Sequence, residues 1–85
     1  MKIAVKLYAS LADHLPDGAV DHRVELNVPE DVTPHQIIDR FRVPQEQAHL
    51  CLLNGVYLEP SERDRPVLKE GDTLAVWPPV AGGAD

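Results

Sequence analysis

The sequence predicts an α+β domain, a mixed sheet of four to five strands packed on one main helix. Three observations carry this. Several short segments alternate apolar and polar residues with the period of a half-buried strand. One segment, starting at Val32, combines apolar residues at helical spacing with a helix-start signal. The chain has 85 residues, enough for one modest core and no second domain.

The first strand is "KIAVKLYA", with Ile3, Val5 and Leu7 on one face and Lys2, Lys6 and Tyr8 on the other. "SLADHLPDGA" is a polar turn region with one helical turn, broken by Asp17-Gly18. Alternation resumes at "DHRVELNVPE" through Val24, Leu26 and Val28, so the first two strands form an antiparallel hairpin. The helix follows in "VTPHQIIDRF". Thr33 is its N-cap, Pro34 takes the first position, where a missing N–H costs nothing, and Gln36 completes a capping box. Val32, Ile37 and Phe41 are spaced to face the core, and Pro44 stops the helix or restarts it as a turn through "PQEQ". "HLCLLNGVYL" reads as a strand, an Asn54-Gly55 hairpin turn and a short return strand. "EPSERDRPVLKEGD" is polar connection with a helical turn near Ser61 to Asp64 and a tight turn at Glu70-Gly71-Asp72. The last strand, "TLAVWPPV", ends at paired prolines that cannot donate ladder hydrogen bonds. The order is ββαββ with a final β. Residues 1–77 make the domain and 78–85 an extended tail.

Composition is that of a globular domain, 44% hydrophobic and 26% charged, with a net charge of −6. That charge argues against nucleic acid, and suits either a basic protein partner or solubility alone. The single cysteine, Cys51, cannot form an internal disulfide, which is compatible with a reducing cytoplasm. The apolar stretch in "MKIAVKLYAS" is too short for a signal peptide, and no run approaches membrane-spanning length. A cytoplasmic protein without membrane contact is expected.

Little in the domain points to side-chain catalysis. His14, His22, His35 and His49 have no ligand spacing and read as surface residues, so no metal is expected. Cys51 lies mid-strand, as a buried structural thiol would. Glu62, Arg63, Asp64 and Arg65 alternate in sign and read as a solvated loop.

The stretch "LLNGVYLEPSERDRPVLKEGDTLAVWPPVAGG" resembles the C-terminal half of the MoaD/ThiS family of ubiquitin-like sulfur carriers. The shared pattern is an apolar strand, Asn-Gly, a polar stretch, a "GD" turn, an apolar strand and Gly-Gly. The resemblance extends over essentially the whole chain and is specific from Asn54 onward. It implies a ubiquitin-like β-grasp, a fold the strand order fits. Within the family "PPVAGG" is most similar to the molybdopterin synthase small subunit.

The resemblance implies that Gly83, with Gly82 before it, carries an adenylate and then a thiocarboxylate. The implied partners are an E1-like adenylating enzyme and a larger molybdopterin synthase subunit. The chain would be the carrier subunit of a sulfurtransferase, with no catalytic side chain and no bound cofactor. It has no phosphate-binding glycine loop, so ATP is handled by the activating partner. The glycines lack Cβ and can pass a narrow channel. Pro78 and Pro79 favour an extended backbone, with Val80 and Ala81 leading into the glycines. On the last strand Leu74 and Val76 point inward, leaving Ala75 and Trp77 outside. Trp77 is then an interface anchor, or alternatively caps the core against the helix. Leu50 and Leu52 join the partner-binding set if Cys51 and Leu53 face inward.

Ala84 and Asp85 oppose this, because adenylation needs a free Gly83 carboxylate. A processing protease clips after Gly83, or the two residues are an addition, or the chain has left sulfur chemistry. Processing is the expectation adopted. The alternatives are a noncatalytic β-grasp interaction module, or a carrier serving thiazole, cysteine or tRNA thiolation.

Overall fold

The computed structural model describes residues 1–79. Strands β1 (Lys2–Leu7) and β2 (Arg23–Asn27) precede helix α1 (Pro34–Arg40), and β3 (Leu50–Leu53), β4 (Val56–Tyr57) and β5 (Thr73–Trp77) follow. Short 3-10 turns occupy Ala9–His14, Gln45–Gln47 and Pro60–Asp64, at the three places where the sequence predicts a helical turn. The sheet order is β2-β1-β5-β3-β4. β1 and β5 are parallel and the other pairs antiparallel, giving the expected mixed sheet on one main helix.

Register aligns the inward residues into rows. Val24, Val5, Leu74 and Leu53 are successive cross-strand partners, as are Leu7, Val76 and Cys51. Val5, Leu7, Cys51, Leu74 and Val76 are buried, and α1 covers them with Ile37, Ile38 and Phe41. The helix starts where the capping box requires. Thr33 Oγ1 accepts from the Gln36 amide at 3.2 Å and Gln36 Oε1 from the Thr33 amide at 3.0 Å. At the other end the Arg42 amide donates to Asp39 O and the Val43 amide to Ile38 O, at 2.9 and 3.3 Å. This Schellman closure puts Arg42 at φ +61°, in the left-handed position that glycine usually takes.

Two turns are tied together beside the sheet. Asn54 and Gly55, at φ +51° and +84°, form the β3–β4 hairpin turn that their sequence predicts. Asn54 Nδ2 donates to Asp72 Oδ1 and Asn54 Oδ1 accepts from the Thr73 amide, both at 2.9 Å. Asp72 Oδ2 accepts from the Lys69 amide at 2.8 Å. Asn-Gly and Gly-Asp are thus halves of one lock that holds β5 against β3. At the sheet edges, β2 exposes Arg23, Glu25 and Asn27, with Arg23 3.3 Å from Glu25, and β4 has two residues.

The segment Glu62 to Arg65 departs from the solvated loop expected of it. Arg63 is 5% exposed. Its Nη1 donates to Ala48 O at 2.8 Å and its Nη2 to Leu58 O at 3.1 Å and His49 O at 3.4 Å, while Nε donates to Leu58 O at 3.2 Å. Its guanidinium carbon lies 5.8 Å from the Tyr57 ring centroid. A planar fork with five donors satisfies these carbonyls at once, which explains a buried charge with no carboxylate partner among the described residues. Leu58 and Leu68, in stretches without periodicity, are also buried. Arg63→Met is expected to lower unfolding free energy by at least about 2 kcal/mol, because it orphans buried carbonyls. Arg63→Lys, with one point of donation, recovers only part of that loss in urea titrations.

Candidate functional site

The outer sheet face and the end of β5 form the candidate site. Trp77 is paired with Leu50, and Ala75 with Leu52, so these four residues share the face opposite α1. Leu50 is 36% exposed and Leu52 half-buried. Ala75 is buried although it faces outward, because it is small and flanked across the strands by Lys6 and Leu52. Trp77 does not cap the core against the helix. Its indole stacks on Tyr8, ring centroids 4.3 Å apart and planes 4° from parallel, so it is half-covered. His22 meets Tyr8 edge-on at 5.5 Å. Tyr8 lies far from Trp77 in the chain and reaches it through the β1–β5 pairing, while His22 reaches Tyr8 from the β1–β2 connection.

The backbone holds the root of the tail firmly. Trp77 O accepts from the His49 amide at 3.0 Å, and Val76 O from the Tyr8 amide at 3.1 Å. The last residue of β5 is thus hydrogen-bonded, after which Pro78 is half-buried and Pro79 exposed. Val80, Ala81, Gly82 and Gly83 lie outside the described residues, as do Ala84 and Asp85.

Among the described residues, side chains suited to catalysis do not gather at the site. Among the described residues no three His, Cys, Asp or Glu side chains cluster as metal ligands would. His14, His22 and His49 are exposed, but His35 departs from a free surface residue because its Nδ1 pairs with Asp64 on the Pro60–Asp64 turn. Cys51 is fully buried, and burial pushes its thiol from 9.0 up to about 11, with Arg63 opposing. It is a structural residue. No helix among the described residues is long and apolar enough to cross a membrane.

Comparison with known proteins fits this geometry. The sequence model of the ThiS family matches residues 5–83, nearly the whole chain and through the glycine pair. The chain belongs to the ThiS family. Over 65 residues it is 32% identical to the molybdopterin synthase sulfur carrier subunit of Drosophila sechellia, covering 72% of each chain. Two solved structures share the fold. SAMP1 from Haloferax volcanii superposes with a TM-score of 0.65 at 24% identity, over 98% of this chain and 100% of that one. A putative molybdopterin converting factor, subunit 1, from Pyrococcus furiosus gives 0.60 at 23%, over 93% and 98%. The architecture is therefore the β-grasp of ThiS/MoaD-type sulfur carriers.

Because the folded thiol binds its proton more tightly than the unfolded one, Cys51 contributes stability below about pH 9 that is lost towards about pH 11. Over that window the protein is expected to lose stability relative to Cys51→Ala by about 1.4 kcal/mol per pH unit, measured by denaturant titration. At pH 8 the native thiol is expected to resist alkylation that denaturant then permits.

Proposed function

We propose that this ThiS-family chain carries sulfur on the C-terminal carboxylate of Gly83, as the small subunit of a molybdopterin synthase. The observation that supports it best is how the root of the tail is held. "PPVAGG" leaves a central strand whose last residue is pinned, beside an outer face that presents Trp77, Leu50 and Leu52. A fixed root followed by prolines limits the entropy lost when the tail enters a partner's site. Glycines at its end leave the reacting carbon unobstructed.

The chemistry requires a free Gly83 carboxylate, so the peptide bond to Ala84 is first hydrolysed by a processing protease. A carboxylate is a poor electrophile. An E1-like partner therefore transfers AMP to it from ATP, releasing pyrophosphate and creating a leaving group. The terminal sulfur of a persulfide donor attacks the carbonyl carbon and AMP departs. A second thiol then cleaves the S–S bond, becoming oxidised to a disulfide and leaving the thiocarboxylate on Gly83. Cys51 cannot serve as that thiol, being buried and protonated at neutral pH. The thiocarboxylate is a soft, ionised nucleophile that needs no separate base, and the larger synthase subunit receives it together with the tail. These steps belong in the cytoplasm, where thiols stay reduced.

The residues after Gly83 favour one other reading, a noncatalytic β-grasp module that docks through its outer face. Protein from the native host, analysed by intact-mass spectrometry, separates the two. The carrier reading expects a species ending at Gly83 that exchanges one oxygen for one sulfur when given ATP, the adenylating enzyme and a sulfur donor. Retention of Asp85, with no adenylation of a version truncated after Gly83, overturns it. In the truncated form Gly83→Ala is expected to block sulfur transfer and leave the thermal midpoint unchanged.

A further inference from the structure

We propose that an open depression at the C-terminal end of α1 docks an acidic peptide segment of a partner protein. His14, Pro16, Leu26, Arg40, Phe41 and Arg42 line it. It lies on the helix side of the sheet, because Leu26 is the cross-strand partner of the core residue Ile3, and thus opposite Trp77. A segment bound there leaves the outer face free.

The charge of the depression runs against that of the chain, which carries 14 Asp and Glu against 8 Lys and Arg. Arg40 and Arg42 are exposed, and neither forms an ion pair among the described residues. Asp13, Asp17 and Asp39 are sequence neighbours of the lining residues, but none of them lines the depression. The His14 ring is held in place, since its Nδ1–H donates to Phe41 O at 3.0 Å and a carbonyl can only accept. That bond turns Nε2 away from the backbone partner. Phe41, Leu26 and Pro16 add apolar lining, which suits an aliphatic side chain between two carboxylates better than a free inorganic anion.

Helix electrostatics explains only part of this. A cation in the last turn complements the helix dipole, which accounts for Arg40. Arg42 is different. It stands at φ +61° in the closing turn, where any side chain is disfavoured relative to glycine, yet its own side chain has no ion-pair partner among the described residues. Two guanidiniums lining one depression offer planar forks of donors of the kind that bind carboxylates bidentately.

The test is an NMR titration of the full-length labelled chain with an N-acetylated, C-amidated Glu-Leu-Glu-Leu-Glu peptide. Amides of His14, Arg40, Phe41 and Arg42 are expected to shift saturably. Arg40→Glu combined with Arg42→Glu weakens binding at least tenfold. Arg42→Gly keeps or raises the thermal midpoint and still loses several-fold in affinity, a split that a purely structural arginine does not produce. Equal binding of the Gln-Leu-Gln-Leu-Gln peptide, shifts confined to other surfaces, or unchanged affinity of Arg42→Gly overturns the proposal. Matching shifts with inorganic phosphate also overturn it, leaving a small-anion site. These outcomes do not depend on sulfur transfer by Gly83.

Discussion

β1 and β5 lie side by side and parallel, although nearly the whole chain separates them, and that pairing constrains the rest of the structure. A parallel pair cannot be joined by a tight turn, so the intervening chain must leave the sheet, cross a face and return. α1 makes that crossing and in doing so seals the rows of Val5, Leu7, Leu74 and Val76. The same pairing brings Tyr8 onto Trp77 and supplies the amide that binds Val76 O. Core, tail root and aromatic stack therefore depend on one register. A slip of a single residue would turn the Leu74 and Val76 face outward and the Trp77 face inward.

Regular elements alone would leave this core open. The segment between β4 and β5 has no periodicity, yet it contributes Leu58, Leu68 and the Arg63 guanidinium. Arg63 gathers the carbonyls of Ala48, His49 and Leu58, groups that precede β3 and follow β4. It thus acts as the sheet ladder would if β4 were longer. The nearby pair of His35 and Asp64 joins the start of α1 to the same turn. In this small domain polar contacts fix where the irregular chain lies, and apolar contacts supply the burial.

What was legible in the sequence was what has a period or a turn chemistry. Alternation identified the strands, the Thr33–Gln36 box located the helix start, and Asn54-Gly55 gave the hairpin. The inward set of β5 was readable for the same reason, whereas β3 is apolar on both faces, so only its pairing with β5 decides that Cys51 faces inward. Arg63 was not readable, because a sequence of alternating charges looks the same whether its arginine meets water or three carbonyls. Leu11, in a 3-10 turn, and Leu68, in a loop, were hidden by the absence of any repeating face. At the candidate site, the outward position of Trp77 followed from alternation. Its cover by Tyr8 required knowing which strands are neighbours, and that is information about topology rather than about local pattern.

The two edges of the sheet differ from its centre in what they offer to another chain. An edge strand with free amides and carbonyls is a template on which further copies can add. Here one edge carries Arg23 and Glu25 side by side, and the other is only Val56 and Tyr57. The first puts charge where an added strand would lie and the second is too short to hold one. Both edges are poor seeds for assembly. Among the described strands, the sheet therefore ends on both sides in backbone that offers an added strand little to pair with.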